Sequence, residues 1–186
     1  AAKGAIAEAI KTSGFKGAAG QTLTLYGVGP YGAVLLVGTG EGLTSATDLK
    51  TYGGTVAKGT SGWTAAVSVV VPDAKDVAND AAIAAQGAML GAYDFGKWGK
   101  AAEPAAEPKV TLTFLAPDAN AARRAWETDA RAVVEGVFFA RDLTSTPSNI
   151  KTPAWFADQV LAKFEGLPNV TVTVLDETQI EALGMG

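Results

Sequence analysis

The chain has 186 residues, 48% of them hydrophobic, with 19 acidic against 15 basic side chains and a net charge of −4. That is apolar material enough for one ordinary domain, or for one domain and the beginning of another. The mild, scattered charge offers no basic stripe for nucleic acid or an anionic membrane surface. With no Cys and no His, disulfides, thiolate chemistry, a Ser-His-Asp triad and the commonest zinc ligand are all excluded from these residues.

In chain order, Ala2, Ile6, Ala9 and Ile10 fall on one helical face, and Gly14 is a natural stop. Thr22 to Tyr26 alternates like a half-buried strand, and Val34 to Val37 is an apolar run suited to a strand covered on both faces. A helix is expected around Leu49, Tyr52 and Val56, weakened by Gly53 and Gly54 by roughly 1 kcal/mol each. Val67 to Val71 reads as a second buried strand. Asp73 is the expected N-cap of a helix carrying Val77, Ala81, Ala84 and Ala88, whose small face suits close packing on a sheet. Gly99 to Pro108 lacks any period and reads as a loop, and Val110 to Leu115 as a further strand.

The longest helix is predicted from about Ala121 to Leu143, with Trp126, Ala130, Val133, Val137 and Ala140 as its apolar stripe. Arg123, Glu127, Arg131 and Glu135 alternate in sign at intervals of four, which marks a solvated, self-supporting face. After a polar turn, Thr152 and Pro153 supply an N-cap and an N1 proline. The helix they open is expected to bury Phe156, Val160 and Phe164 and to end near Gly166. A last strand, Val170 to Val174, and a short helix from Glu177 follow.

Several motifs invite a chemical reading. Gly27-Val28-Gly29-Pro30-Tyr31-Gly32 matches a dinucleotide fingerprint, but a strand follows where the pyrophosphate would need a helix N-terminus. It reads as a turn between strands. Gly38-Thr39-Gly40-Glu41-Gly42 lies between a strand and a helix, where anions can bind, yet it has no P-loop Lys and Glu41 would repel phosphate. Asp73, Asp76 and Asp80, and likewise Asp176, Glu177 and Glu181, sit at helix starts, where acids complement the dipole. Tyr93, Phe95 and Trp98, and the pair Trp155 and Phe156, read as packing rather than as base-stacking platforms. Asn169-Val170-Thr171 fits a glycosylation sequon by chance, since no signal peptide is visible. No residue is assigned as catalytic, cofactor-binding or metal-binding.

The most specific stretch runs from Gly136 to Pro153. Ala140, Arg141, Asp142, Leu143, Pro147, Asn149, Thr152 and Pro153 closely resemble the conserved segment of the leucyl aminopeptidase family, with Ser145 where the family most often has Asn. Gly87 to Phe95, Val34 to Gly40, Val174 to Asp176 and Leu183 to Gly186 resemble further family segments in order and spacing.

The resemblance implies an α/β protein: a three-layer α/β/α mixed-sheet, macro-domain-like N-terminal domain over residues 1–118, clipped at its start. A connecting helix and turn over 119–150 and the truncated opening of a second, catalytic α/β domain over 151–186 follow. A strand ahead of Ala1 in complete members would leave an unpaired position in the sheet, or one supplied from elsewhere. Complete members are implied to be cytoplasmic homohexamers that use two zinc, manganese or magnesium ions to release N-terminal residues, preferably leucine, from peptides. Their metal-binding motifs do not occur in these residues, so the chain is expected to serve assembly and active-site access. The alternative is a macro-like module binding an ADP-ribose-like ligand or DNA; nucleic acid and membrane partners are not expected.

Overall fold

The computed structural model describes residues 2–72, 76–95 and 109–185. These fall into two compact units, Ala1–Phe139 and Ala140–Gly186. Asp73, Trp98 and the Gly99–Pro108 loop lie outside the described residues.

The first unit opens on α1 (Ala2–Ser13), followed by the hairpin of β1 (Thr22–Val28) and β2 (Tyr31–Val37). Ala2, Ile6, Ala9 and Ile10 are the half-buried side chains of α1, as their spacing requires. β1 and β2 pair antiparallel from Thr22 opposite Val37 to Val28 opposite Tyr31, leaving Gly29-Pro30 as a two-residue loop. Gly29 has φ +59° and Pro30 a φ fixed by its ring, the requirements of a type II′ hairpin loop.

Next come α2 (Ala46–Thr60), β3 (Ala65–Val70), α3 (Val77–Gly91) and β4 (Val110–Leu115). β3 and β4 pair in parallel, Ala65 opposite Val110 to Val70 opposite Leu115. The fold class is therefore the expected α/β one, with antiparallel and parallel pairing both present. One expectation needs correcting. The mixed sheet implied for the N-terminal domain is, among the described residues, two two-stranded sheets, β1 with β2 and β3 with β4. β2 and β3 do not hydrogen-bond to each other, although α2 touches both. Burial follows suit: Val69 is buried, but Val70 is 62% exposed and residues 33–37 are only half-buried.

The core joins Leu43, Leu49, Val71 and Ala84, with Tyr52, Ile83 and Phe114 packed against it. α2 and α3 meet through glycine. A Cβ on Gly53 would lie 1.8 Å from the Ala84 carbonyl oxygen, and one on Gly87 2.1 Å from that of Lys50. The small face of α3 thus serves close approach to a helix, where the sequence suggested a sheet. α3 is capped by Asp76, whose side chain accepts from the Asn79 N–H, three residues on from the expected cap.

The long helix is α4 (Ala119–Ala125), a π-helical segment (Trp126–Ala130) and α5 (Arg131–Ser145) in succession. The wider π turn shifts the stripe. Val134, not the predicted Val133, is buried one turn after the buried Ala130, Trp126 is half-buried, and Val133 is exposed. The Gln86 side chain donates to the Ala130 carbonyl at 3.4 Å and ties α3 to the π segment. On the outer face Arg131 pairs with Glu127 at 3.0 Å and with Glu135 at 2.8 Å. Both partners hold its guanidinium charge, Glu135 most strongly, so its pKa is raised.

The second unit contains α6 (Pro153–Phe164) and α7 (Glu177–Ala182). Thr152 caps α6 through the Trp155 N–H at 3.2 Å, with Pro153 at N1, as anticipated. Asp176 and Gln179 form a reciprocal capping box on α7. The expected strand from Val170 to Val174 is not formed, because no described segment of this unit pairs with it. Phe156 and Phe164 are 46% and 38% exposed, not buried. Asn169 adopts φ +65°, a left-handed turn conformation that Asn tolerates.

Candidate functional site

The glycine-rich turn after β2 is the best-placed anion cradle in the sequence, and its backbone geometry decides against it. The N–H of Gly38 donates to the Gln21 carbonyl at 2.7 Å, that of Gly40 to Gly17 at 2.9 Å and that of Gly42 to Thr39 at 3.1 Å. Donors already used in this way cannot also cradle an anion. Gly38 is needed for another reason: a Cβ there would come within 2.1 Å of the Ala18 carbonyl oxygen. The glycines let the Gly17–Gly20 loop lie against the turn.

The N-terminus of α2, next in line, is also occupied. Ser45 caps it through the Asp48 N–H, and the Asp48 carboxylate accepts from the Ser45 N–H and hydroxyl at 2.9 and 2.8 Å and from the Thr44 N–H at 3.2 Å. The Ser45 hydroxyl bond is the main reason that the Asp48 pKa is lowered. A helix end neutralised by its own carboxylate is a stable start, not a vacant phosphate site.

The Gly27–Gly32 match is the hairpin tip itself, so no helix follows it. Asp76, Asp118 and Asp176 are each spent as N-caps. Among the described residues no three His, Cys, Asp or Glu side chains converge as a metal cluster would require. Among these described residues, then, no donor set suits a pair of divalent ions. Tyr93 packs against Phe138 with ring centroids 5.0 Å apart, which is the packing role expected of it. A cavity of about 830 Å³ lies among α2, α3, β4 and Trp126. Its lining is mainly apolar, and the hydroxyls of Thr60 and Ser61 are taken by the carbonyls of Val56 and Lys58. It holds no acid–base pair.

The segment from Ala140 to Pro153 is a compact helix-to-helix turn. Thr144 and Thr146 bond back to the carbonyls of Ala140 and Asp142 at 2.8 and 2.7 Å, and the Lys151 ammonium donates to the Thr144 carbonyl at 3.2 Å. The N–H groups of Ile150 and Lys151 both reach the Pro147 carbonyl at 3.0 Å. Each end of the turn thus satisfies free helix-terminal groups.

A sequence model described as "Cytosol aminopeptidase family, N-terminal domain" matches residues 1–98, more than half of the chain. The chain belongs to the cytosol aminopeptidase family. A probable cytosol aminopeptidase of Brucella ovis is 34% identical over 97% of this chain and 37% of its own length. One of Methylobacterium radiotolerans is 36% identical over 97% and 36%. Among solved structures, a mutant tomato leucine aminopeptidase aligns with TM-score 0.83 and 25% identity over 99% of this chain and 37% of its own. The bottromycin maturation enzyme BotP shares the fold with TM-score 0.74 at 23% identity. The chain thus spans little more than a third of the length of these family members. No helix among the described residues is long and apolar enough to cross a membrane.

Sequence reasoning missed the role of Gly53, Gly87 and Gly91. Part of their signal was present, since Gly87 and Gly91 lie four apart on one helical face, but that Lys50 and Gly54 stand against them is seen only in the structure.

Proposed function

We propose that the chain is the N-terminal, non-catalytic portion of a metal-dependent leucyl aminopeptidase that releases N-terminal amino acids, preferably leucine, from peptides. Residues 1–118 form a macro-like domain, 119–150 the connecting helix and turn, and 151–186 the opening of the catalytic domain. Their role is assembly of a cytoplasmic homohexamer and the shaping of access to its active site. The zinc, manganese or magnesium ions that activate water in such an enzyme would be held outside these residues.

The observation that carries this reading is the match of the family's N-terminal domain to residues 1–98, in a chain that covers 37% of its Brucella ovis relative. Manganese is named with one BotP structure, at fold-level similarity only. Exposure of Phe156, Leu161, Phe164, Leu167, Val170 and Val174 in the second unit supports an unfinished domain. The alternative of a ligand or DNA module has no comparable support, because the N–H groups of Gly38, Gly40 and Gly42 are already used within the turn.

The test is to supply the purified chain with manganese or zinc and measure leucine-anilide release beside calorimetric metal titration. Neither turnover nor tight binding of two metals is expected. Activity that follows the chain through a sizing column would refute the assignment.

A further inference from the structure

The long helix carries two apolar stripes. Trp126, Ala130, Val133 and Val137 follow one another at steps of four, three and four, the period of an uninterrupted α-helix. Trp126, Ala130, Val134 and Phe138 follow at steps of four, and this is the set that faces the core. Ala130 and Val134 are buried, and the Phe138 ring centroid lies 5.0 Å from that of Tyr93. Steps of four overshoot a 3.6-residue turn, so a continuous α-helix cannot keep them on one face. The π segment absorbs the difference: the Arg131 N–H reaches back five residues to the Trp126 carbonyl. The two stripes part only after Ala130, where Val133-Val134 and Val137-Phe138 each set apolar side chains at neighbouring positions.

What holds the second stripe inward comes from α3 and the chain just beyond it. Gln86 is 4% exposed, and its side chain donates to the Ala130 carbonyl at the end of the π segment. Tyr93, seven residues after Gln86, meets Phe138, eight residues after Ala130. Seven positions on one side matched to eight on the other is the register of a helix with one residue inserted. A buried amide spent on a main-chain carbonyl adds little apolar contact; it selects one arrangement of the core.

We propose that residues 126–139 are a two-register element and that Gln86 is the latch that holds it in the π register. Without the latch the segment closes to continuous α-helix, and α5 as far as Phe139 turns by about 100° about its axis, one residue's worth. Val134 and Phe138 then leave the core, and Val133 and Val137 enter it. Each register buries a valine and one further apolar side chain, which is what brings two packings of one sequence close in free energy. The inference rests on packing alone and is independent of the peptidase reading.

The chain has no cysteine, so a single introduced thiol reports its own burial. Val133→Cys and Val134→Cys are made in the whole 186-residue chain, with and without Gln86→Leu, and reacted with a maleimide under native conditions. With Gln86 in place, the Val133→Cys thiol is expected to react about tenfold or more faster than the Val134→Cys thiol, which meets the reagent only through local opening. Gln86→Leu is expected to invert that order, and an unchanged order in a folded Gln86→Leu chain would overturn the proposal. Should Gln86→Leu prevent folding, Val134→Lys decides. A two-register helix turns the lysine out, stays folded and shields the Val133→Cys thiol, whereas a helix with one register must bury the charge and unfolds. Loss of the folded circular dichroism signal with Val134→Lys, or a Val133→Cys thiol as reactive as before, would overturn the proposal as well.

Discussion

Replacing Gly53 with Ala sets three effects against one another, and their sizes can be read from the helix contact. The new methyl would sit 1.8 Å from the Ala84 oxygen, 2.8 Å from its carbonyl carbon and 2.9 Å from the Ala88 nitrogen. Ordinary contact begins at 3.4 Å, so α2 and α3 must separate by 3.4 − 1.8 = 1.6 Å. In favour stand about 1 kcal/mol of helix propensity and about 0.8 kcal/mol for one more buried methyl. Against them stands a backbone obstacle that no rotamer change can move aside. Opening the interface by more than 1 Å forfeits more than about half of each dispersion contact it parts around Leu49, Val56 and Ala84, all of them buried.

We expect the loss to win by about 2 kcal/mol, lowering the thermal midpoint by about 5 °C. Gly54→Ala is the internal control, since its Cβ would meet nothing closer than the Gly87 oxygen at 3.4 Å. There propensity should dominate and stabilise by up to about 1 kcal/mol. Urea and thermal unfolding followed by circular dichroism read both. A Gly53→Ala protein as stable as the parent would show that the helices do not touch through this glycine.

Tyr52→Phe should cost about 1 kcal/mol through the lost hydrogen bond to Val70. Burial raises the Tyr52 pKa, so above pH ~10 the unfolded chain releases a proton that the folded one keeps, and stability falls as pH rises through the folded pKa. The parent should show this alkaline loss in pH-dependent unfolding and the Phe variant should lack its Tyr52 share. Asp48 behaves in the opposite sense: its lowered pKa gives stability that is present above ~3.9 and lost as pH falls through the folded value. Asp48→Asn should flatten that acid limb. Thr152→Ala should remove the α6 cap, at about 1 kcal/mol. Faster amide exchange at Trp155 would confirm it, and an unchanged rate would place the cap elsewhere.

Local chemistry was largely legible. The stop of α1 at Gly14, the bounds of β4, the cap at Thr152 and the Glu127–Arg131–Glu135 ladder all appear where residue type and spacing place them. Each of these depends on neighbours within about four positions along the chain. The exceptions follow the same logic. Val134 displaces Val133 because a π turn adds a residue, which no 3.6-residue period foresees. Gly53 reads as a helix weakener until Ala84, 31 positions on, is known to lie against it.

Strands show the boundary most clearly. The alternation at Val170–Val174 is as regular as that at Thr22–Tyr26, yet only the second segment forms a strand. The difference lies in the partner: β2 stands opposite Thr22–Val28, while nothing described in the second unit stands opposite Val170–Val174. Val170 and Val174 accordingly remain 44% and 49% exposed. A period of two specifies which side chains share a face but leaves the ladder donors and acceptors to whatever lies alongside. β2 and β3 state the same rule inside the first unit: among the described residues they pair with β1 and β4 respectively, and which neighbour takes a strand's ladder donors and acceptors is set by tertiary placement, not by the alternation of its side chains.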